Sequence, residues 1–471
     1  MEHIRADICV IGAGAGGLSV AAGAAQMGAR VVLVEGGAMG GDCLNYGCVP
    51  SKALIAAAGH AHAMAGGLGI APAAPQVDFT AVMAHVRATI AAIAPHDSQE
   101  RFEGLGVRVI RGWGRFASPR EVEAGGQMIR ARRFVIATGS TPAAPPVPGL
   151  ETLPYLTNET VWGLTALPAR LLVLGGGPIG LEMAQAFRRL GAAVTVVEAA
   201  TALGREDPEL AAPVVTRLRA EGVDILEGAA AEEAGGQDGA VWLRLADGRR
   251  VEGSHLLVAT GRRPNLDRLD LATGGVAHDR AGVTVGPGLR STTNRRVYTV
   301  GDAAGLGQFT HLAGHHAGVV VRSTLLALPA RARADHIPRA TFTDPPIAHV
   351  GLTEAEARAR HGARLEVLRT SYGENDRARA GGRTEGMLKV MVARGRPVGA
   401  SIAGPGADEM IGLWSLVIAN RLKMGAIAGT VLPYPTLNEL SKRAVSAYFS
   451  PRLFDNPVIE RVVGLVQRLL P

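Results

Sequence analysis

A glycine-rich pattern that occurs twice constrains the fold of this 471-residue chain more than any other feature. In the first copy an apolar run leads into Gly12-x-Gly14-x-x-Gly17, a predicted helix of small residues follows, and a second apolar run ends in Glu35. The first glycine makes a tight turn, the second lets the backbone approach a pyrophosphate, and the third lets helix and strand pack closely. The acid suits ribose hydroxyls, and the start of the helix supplies free N–H groups for phosphates. This copy therefore predicts a Rossmann-like dinucleotide-binding unit.

The second copy keeps the same order, with Gly175-x-Gly177-x-x-Gly180 and a final Glu198. In both copies the acid lies 23 residues after the first glycine. Two units predict two dinucleotides, and a flavin dinucleotide with a nicotinamide dinucleotide is the natural pair, because a hydride donor needs an acceptor. A carboxylate at Glu198 suits the free 2′-hydroxyl of NADH and repels a 2′-phosphate, whereas Arg205 can accommodate one. We expect FAD and NADH as cofactors, with NADPH as the alternative.

The basic charge of the chain does not indicate a nucleic-acid partner. The net charge is +7, but the arginines are scattered and aromatic residues make up only 4%, so no basic patch with stacking platforms is visible. No apolar run is long enough to span a membrane. The N-terminus leads directly into a strand and does not resemble a secretion signal. We expect a cytoplasmic protein that binds no nucleic acid.

Two of the three cysteines, Cys43 and Cys48, lie in the segment GGDCLNYGCVPSKAL at residues 40–54. A metal site would need further Cys or His ligands, and Cys9 is expected to be a buried residue of the first strand, so we predict no metal site. A structural disulfide would be unusual in the cytosol. We favour a redox pair, because a dithiol beside a flavin can pass two electrons to an external acceptor. A helix that begins near Cys48 would also stabilise a thiolate.

With these features the chain resembles the class I pyridine nucleotide-disulfide oxidoreductases, which include glutathione reductase, dihydrolipoamide dehydrogenase and mercuric reductase. The cysteine segment resembles the redox-active disulfide motif of that family, and the resemblance extends over nearly the whole chain. Four other segments carry it: Ala137-Thr138-Gly139 and residues 259–265 (ATGRRPN) resemble the chain crossovers, residues 299–303 (TVGDA) the second flavin motif, and residues 342–352 (FTDPPIAHVGL) the start of the dimerisation domain.

The resemblance implies an α/β fold with two Rossmann-like dinucleotide-binding domains, for FAD and NAD(P), and a C-terminal α+β dimerisation domain. It also implies a homodimer in which each active site draws on both subunits. We expect four segments: an FAD-binding domain at 1–149, an NAD(P)-binding domain at 150–275, a central segment that completes the FAD domain at 276–340, and the dimerisation domain at 341–471.

The resemblance also implies roles for individual residues. Cys48 is expected to lie against the flavin as the charge-transfer thiolate, and Cys43 to be the interchange thiol that attacks the acceptor. Lys52 is expected near the flavin, paired with Glu182. The residues expected to bind FAD are Gly12, Gly14, Gly17, Glu35, Lys52, Thr138, Gly139, Gly301 and Asp302, and those expected to bind NAD(P) are Gly175, Gly177, Gly180, Glu198 and Gly261.

The sequence departs from the family near the C-terminus. The disulfide reductases carry a catalytic His there that reaches the partner's active site, but this chain has Tyr434 in its place, with the orienting acid kept as Glu439. A tyrosine with a pKa near 10 is a poor base at pH 7, so efficient turnover of lipoamide or glutathione disulfide is in doubt. The segment GGDC, with Asp42 directly before Cys43, resembles that of the mercuric reductases, which also lack this His. Those enzymes use a C-terminal cysteine pair, however, and this chain has no cysteine after Cys48.

We therefore predict an FAD-dependent NAD(P)H oxidoreductase that passes electrons through the redox-active disulfide Cys43–Cys48 to a disulfide-type or other small acceptor. One alternative is a mercuric reductase-like reductase of a metal ion or a quinone. Another is an electron-transfer subunit docked to a membrane or a larger complex. Residues 457–471 predict an amphipathic helix with Arg461 and Arg468 on its polar side. We favour packing of its apolar side on its own protein over contact with a membrane surface.

Overall fold

The computed structural model describes residues 2–237 and 239–470, which form two compact units. The boundaries of the four predicted segments are finer than this division and stay predictions. The first unit contains residues 2–67, 71–200 and 223–333, and the second contains residues 68–70, 201–222 and 334–470.

The first glycine-rich copy forms the start of a largely parallel sheet. Its strands are β1 (Glu2–Ile11), β2 (Val31–Glu35), β3 (Arg108–Arg111), β4 (Arg115–Ser118), β5 (Glu121–Ala124) and β6 (Gln127–Ile136), in the order β3-β2-β1-β6-β5-β4. Residues Ile8–Ile11 of β1 are all buried, as is usual where helices cover both faces of a parallel sheet. The helices of this region are α1 (Ala15–Gln26), α2 (Gly41–Asn45), α3 (Cys48–Ala63), α4 (Phe79–Ile93) and α5 (Gln99–Gly104).

The second copy forms a smaller parallel sheet. Its elements are β8 (Arg170–Leu174), α6 (Pro178–Arg189), β9 (Ala193–Val197), α7 (Pro208–Ala220), β10 (Val223–Leu226) and β14 (His255–Val258), with the strands in the order β10-β9-β8-β14. An antiparallel sheet of β11 (Ala231–Gln237), β12 (Ala240–Leu245) and β13 (Arg250–Gly253) is inserted in the chain before β14. Strand β7 (Ser140–Pro142) directly follows the first predicted crossover segment and pairs with β15 (Arg262–Pro264), which lies within the second.

The chain then returns to the first sheet. Strand β16 (Val297–Thr299) pairs in parallel with β6, and the helix α8 (Thr310–Leu325) follows and packs against α1. The small residues of α1, such as Gly16 and Ala21, allow this close approach between the helices. The return brings Asp302 and the start of α8 into the first unit, close to residues from the N-terminal third of the chain.

The second unit is an α+β structure. Its sheet has the order β17-β18-β21-β20-β19 and is antiparallel throughout. Its strands and helices are β17 (Arg339–Thr341), β18 (Ile347–Gly351), α9 (Glu354–His361), β19 (Leu365–Ser371), α10 (Asp376–Ala380), β20 (Met387–Ala393), β21 (Arg396–Ala403), α11 (Ala407–Ala419), α12 (Met424–Ala428), α13 (Glu439–Phe454) and α14 (Pro457–Leu469). Helix α7 also belongs to this unit.

An ion cluster joins α7 to the sheet of the second unit. Lys389 on β20 is only 2% exposed, and its ammonium lies 2.5–2.9 Å from the carboxylates of Asp207, Glu209 and Glu354. A buried ammonium needs such partners, because an isolated charge is expensive to remove from water. The cluster therefore fixes α7 and α9 to β20.

The C-terminal tail is helical, as predicted, in α14. None of the residues of α14 is buried within the chain, so the expected packing of its apolar side on its own protein does not occur within one subunit. Amphipathic periodicity predicts a helix with an apolar face, but it does not specify what covers that face. Within residues 2–237 and 239–470, no helix is both long and apolar enough to cross a membrane.

Candidate active site

The two cysteines meet at the junction of two helices. Cys43 lies in α2, and Cys48 is the first residue of α3. The backbone N–H groups of Tyr46 and Gly47 both donate to the carbonyl of Asp42, at 2.8 and 2.7 Å, and close the turn between the helices. Both cysteines are free thiols, so the structure describes the reduced pair, in which Cys43 donates a hydrogen bond to Cys48.

The environment makes the two thiols unequal. The pKa of Cys48 is lowered to about 6, mainly by the hydrogen bond from Cys43. Burial opposes this effect, whereas the Thr310 hydroxyl and the Lys52 ammonium add to it. The same hydrogen bond and burial raise the pKa of Cys43. The Thr310 hydroxyl lies 3.4 Å from the sulfur of Cys48. At neutral pH the reduced pair therefore holds one proton on Cys43 and a thiolate at Cys48, at a helix N-terminus that favours negative charge.

An ion pair connects the helix of the thiols to the second glycine-rich copy. Lys52 on α3 lies 2.8 Å from Glu182 on α6. Glu182 is buried, and the side chain of Lys52 is about one third exposed. The pair fixes the direction of the Lys52 side chain, so its ammonium is held where it favours the Cys48 thiolate.

The first nucleotide cradle has the geometry that a pyrophosphate requires. Gly12 has φ of 108°, and a Cβ at Gly17 would lie 1.9 Å from the Gly12 carbonyl oxygen, so neither position admits a side chain. The Glu35 carboxylate accepts backbone N–H hydrogen bonds from Ala13 at 2.5 Å and Gly37 at 2.6 Å. The Thr138 hydroxyl is buried and has no hydrogen-bond partner among the described residues. An orphaned hydroxyl beside the crossover fits a bound polar group, and these residues fit FAD.

The second nucleotide cradle has the same glycine geometry and the same kind of carboxylate contacts as the first. Gly175 has φ of 111°, and a Cβ at Gly180 would lie 2.0 Å from the Gly175 carbonyl oxygen. Glu198 accepts from the N–H groups of Gly176 at 2.7 Å and Ala200 at 2.8 Å. Among the described residues no atom lies within 4 Å of where Cβ atoms would stand on Gly177 or on Gly261 in the crossover. The backbone there is open to a dinucleotide.

A hydrogen-bonded network joins the second flavin motif to both crossovers. The Ser140 hydroxyl donates to Asp302 at 2.5 Å, and Arg262 donates to the Ser140 hydroxyl and carbonyl, each at 2.8 Å. Burial raises the pKa of Asp302. Gly301 donates its N–H to a ring nitrogen of His316 at 3.2 Å. Gly139 accepts from the backbone N–H of Asn265 at 3.0 Å, which ties the first crossover segment to the second.

Tyr434 and Glu439 lie in the second unit, whereas the thiols lie in the first. Tyr434 is 71% exposed, and its hydroxyl donates to the carboxylate of Asp376 at 3.1 Å. That hydrogen bond raises the pKa of Tyr434. Glu439 is the first residue of α13. Their predicted roles, like those of the other site residues, stay predictions.

Sequence reasoning missed Thr310, Ser140 and Arg262 as residues of the site. Thr310 is 262 positions from Cys48 in the sequence, and no local pattern marks it. Ser140 directly follows the crossover segment that ends at Gly139, so its position was the available signal. Arg262 stands inside the second crossover segment, but its partners become visible only in the fold.

Comparison with known proteins agrees with this geometry. The pattern of the pyridine nucleotide-disulphide oxidoreductase family matches residues 6–317, and that of the dimerisation domain of the same family matches residues 337–445. The chain belongs to the pyridine nucleotide-disulphide oxidoreductase family. It is an FAD-dependent oxidoreductase that uses NAD(P)H, with an α/β fold and a C-terminal dimerisation domain, as the sequence predicted. The dimerisation domain supports a homodimer.

Several members of this family are similar to the chain over nearly its whole length. The mercuric reductase of Acidithiobacillus ferrooxidans is 34% identical over 94% of this chain and 82% of its own length. That of Streptomyces lividans is 34% identical over 95% and 97%. Among solved structures, the Cu(II) complex of the HOCl-induced flavoprotein disulfide reductase RclA from Escherichia coli has a TM-score of 0.83 at 29% identity, covering 93% of this chain and 99% of RclA. LpdA from Mycobacterium tuberculosis has a TM-score of 0.86 at 27% identity, covering 94% and 99%.

Proposed function

We propose that this enzyme passes electrons from NADH through FAD to Cys43 and Cys48, and from Cys43 to a small disulfide-type acceptor. The observation that carries the proposal is the hydrogen-bonded thiol pair at the start of α3, with the pKa of Cys48 lowered to about 6 by the hydrogen bond from Cys43. FAD, when bound, accepts a hydride from the nicotinamide and delivers two electrons to a disulfide. The two glycine cradles bind the pyrophosphates, and Thr138 and Asp302 bind and orient the flavin nucleotide.

The thiols carry out the remaining chemistry by exchange. Cys43 loses its proton and attacks one sulfur of the acceptor, forming a mixed disulfide as the first thiolate leaves. Cys48 then attacks the sulfur of Cys43, the second thiolate leaves, and the Cys43–Cys48 disulfide forms again. In total NADH is oxidised to NAD⁺, and the acceptor takes two electrons and two protons, one from NADH and one from solvent, to become two thiols. Lys52, held by Glu182, keeps Cys48 ready as a thiolate between these steps.

The donor that we propose is NADH, because Glu198 stands at the end of β9 where the ribose of the nucleotide binds in this fold. Its carboxylate is oriented by two backbone N–H groups, from Gly176 and Ala200. A fixed carboxylate repels the 2′-phosphate of NADPH. We also propose that Tyr434 and Glu439 of the partner subunit complete each thiol site, which the matched dimerisation domain supports. The compartment we propose is the cytoplasm, where reducing conditions suit a working dithiol.

A metal ion is the second candidate for the acceptor, and Tyr434 is the observation that favours it. Electron transfer to a metal ion does not need the proton transfers that a histidine catalyses in disulfide exchange. The relatives compared above by sequence are mercuric reductases, and RclA has been solved as a Cu(II) complex. In this role the metal ion is a substrate.

An anaerobic titration tests the proposal. Purified enzyme is titrated with NADH, and separately with NADPH, while the visible spectrum is recorded. A long-wavelength thiolate-to-flavin band at two electrons, reached at lower NADH than NADPH, supports the proposal. Flavin bleaching with no such band would show that the thiols are idle.

The acceptor is then identified by turnover with oxidised lipoamide, glutathione disulfide, Hg(II), Cu(II) and a quinone, in the wild type and in Cys43→Ser. Disulfide reduction should disappear in Cys43→Ser, whereas direct quinone reduction from the flavin should survive. Turnover of Hg(II) or Cu(II) without turnover of any disulfide would select the second candidate.

A further inference from the structure

We propose that Asp42 is a positioning residue for the Cys43 thiol. Held by Arg262, it fixes the short helix α2 that carries Cys43 and places a carboxylate beside both thiols. The inference rests on the proposed function, because it assigns a role within the same thiol site.

The geometry links Asp42 to the flavin motif through a continuous chain of contacts. The guanidinium of Arg262 lies 2.9 Å from a carboxylate oxygen of Asp42, and the side chain of Arg262 is only 11% exposed. Arg262 also donates to the Ser140 hydroxyl, which donates to Asp302. An arginine that is nearly buried needs all of its donors directed at acceptors, so its orientation is fixed. The residue directly before Cys43 is thereby tied to the residue expected to hold the flavin.

Asp42 also shapes the turn between the two thiols. Its carbonyl accepts the N–H groups that close the turn, and its carboxylate lies over Gly47, where a Cβ would stand 2.9 Å from a carboxylate oxygen. Asn158 donates to the same carboxylate at 3.2 Å. Helix α2 has only five residues and is too short to be stable by itself. These side-chain contacts therefore decide where Cys43 points.

The charge of Asp42 acts on the thiols directly. The groups that face Cys48 are Cys43 and Asp42 from α2, Lys52 from α3 and the neutral Thr310 from α8. Beyond the effects of hydrogen bonding and burial, the Asp42 carboxylate raises the pKa of both thiols. The other charged groups that face Asp42 are Arg262, which neutralises part of its charge, and Asp302. Removal of the Asp42 charge should lower the pKa of Cys48, and removal of the Arg262 charge should raise it.

These opposite signs define the experiment. Holoenzymes of wild type, Asp42→Asn, Arg262→Gln and the double variant are reduced anaerobically by two electrons. The long-wavelength band and the rate of iodoacetamide alkylation are then followed against pH. We expect the apparent pKa of Cys48 to fall by about one unit in Asp42→Asn, to rise by about one unit in Arg262→Gln, and to lie between them in the double variant.

The neighbouring ion pair provides matched controls. Arg263 and Asp267 lie 2.9 Å apart with both side chains more than half exposed, so Arg263→Gln and Asp267→Asn remove the same kinds of charge from an exposed ion pair next to Arg262 in the sequence. Both should titrate as the wild type does. Asp42→Glu keeps the charge and should keep the apparent pKa near that of the wild type, while the changed length slows turnover of the acceptor.

The outcomes separate the inference from the function. The inference alone would be refuted if the apparent pKa of Cys48 is the same in the wild type and in Asp42→Asn. It would also be refuted if this pKa shifts in the same direction in Asp42→Asn and Arg262→Gln. No thiol titration in the wild type would refute the proposed function and the inference with it. If Arg262→Gln does not retain FAD, the comparison of Asp42→Asn with Asp42→Glu decides, since Asp42 is 38% exposed and tolerates substitution more readily.

Discussion

Replacing Tyr434 with histidine should increase the rate at which this enzyme reduces a disulfide. In the proposed dimer the residue at this position faces Cys43 of the other subunit and has to remove the thiol proton before exchange. Tyr434 is highly exposed, and its hydrogen bond to Asp376 raises its pKa above the ordinary value. The phenol is therefore almost fully protonated at pH 7 and accepts no proton.

The size of the gain follows from two opposing factors. A tyrosine with the ordinary pKa near 10 is only ~0.1% phenolate at pH 7, and the hydrogen bond to Asp376 lowers this fraction further, whereas about three quarters of a histidine with the ordinary pKa near 6.5 is neutral. The available base therefore increases by a factor of about 10³. The rare phenolate is the stronger base, and Brønsted behaviour returns part of this factor, so the net gain is about ten- to a hundredfold at pH 7.

The assay is NADH-dependent reduction of oxidised lipoamide by the wild type, Tyr434→His and Tyr434→Phe across pH 6 to 9. The rate of the wild type should rise almost tenfold per pH unit where phenolate is the base, while Tyr434→His should level off above about pH 6.5. Tyr434→Phe should be slower than the wild type if the hydroxyl takes part. Equal rates and parallel pH profiles in all three proteins, each with the long-wavelength band intact, would refute the reasoning.

Three other changes test the remaining contacts. Glu182→Gln should lower the free energy of unfolding by about 1–2 kcal/mol in urea denaturation, less than for a fully buried pair because its lysine partner is one third exposed. Glu198→Ala should raise the ratio of kcat/KM for NADPH to that for NADH about tenfold in steady-state kinetics, because a 2′-phosphate is no longer repelled. Lys389→Met should cost about 3–5 kcal/mol at pH 7 by leaving the buried carboxylate of Asp207 without its ion-pair partner. The ion cluster around Lys389 should also weaken in acid, because hydrogen bonds from Arg369 and Lys389 lower the pKa of Glu209 to about 2. The contribution of Glu209 to the free energy of unfolding is therefore complete above about pH 4.5 and is lost as the pH falls towards 2. Denaturation at a series of pH values measures this loss.

The sequence predicted those parts of the molecule that depend on local geometry. Gly12, Gly17 and Glu35 predict a tight turn, a closely packed helix and an acid at a fixed distance, all within one strand–helix–strand unit. The structure contains this unit twice. The cysteine segment is equally local, since the thiols lie five positions apart along the chain and a helix begins at the second. Such features need no knowledge of which distant strands are neighbours.

The parts that the sequence could not predict depend on distant contacts. The Thr310 hydroxyl reaches Cys48 only because β16 returns the chain to the first sheet and places the start of α8 beside α3. The contact of Asp42 with Arg262 depends likewise on the pairing of β7 with β15. The tail was predicted as a helix but not as an exposed one, because periodicity gives the face of a helix and not its partner.

Two residues that distinguish this chain from the disulfide reductases, Tyr434 and Asp42, affect the Cys43 thiol in the same direction. Tyr434, in place of a histidine, removes the base that would take the proton of Cys43, and Asp42 adds a negative charge that makes that proton harder to lose. The hydrogen bond to Cys48 favours the same protonated state, so the structure keeps the interchange thiol neutral while Cys48 carries the charge. An acceptor that depends on a free Cys43 thiolate, such as an unactivated disulfide, is disfavoured by each of these features. An acceptor electrophilic enough to react as the thiol proton leaves is not penalised in this way, and the comparison of lipoamide with Hg(II) and Cu(II) in one enzyme preparation distinguishes the two classes.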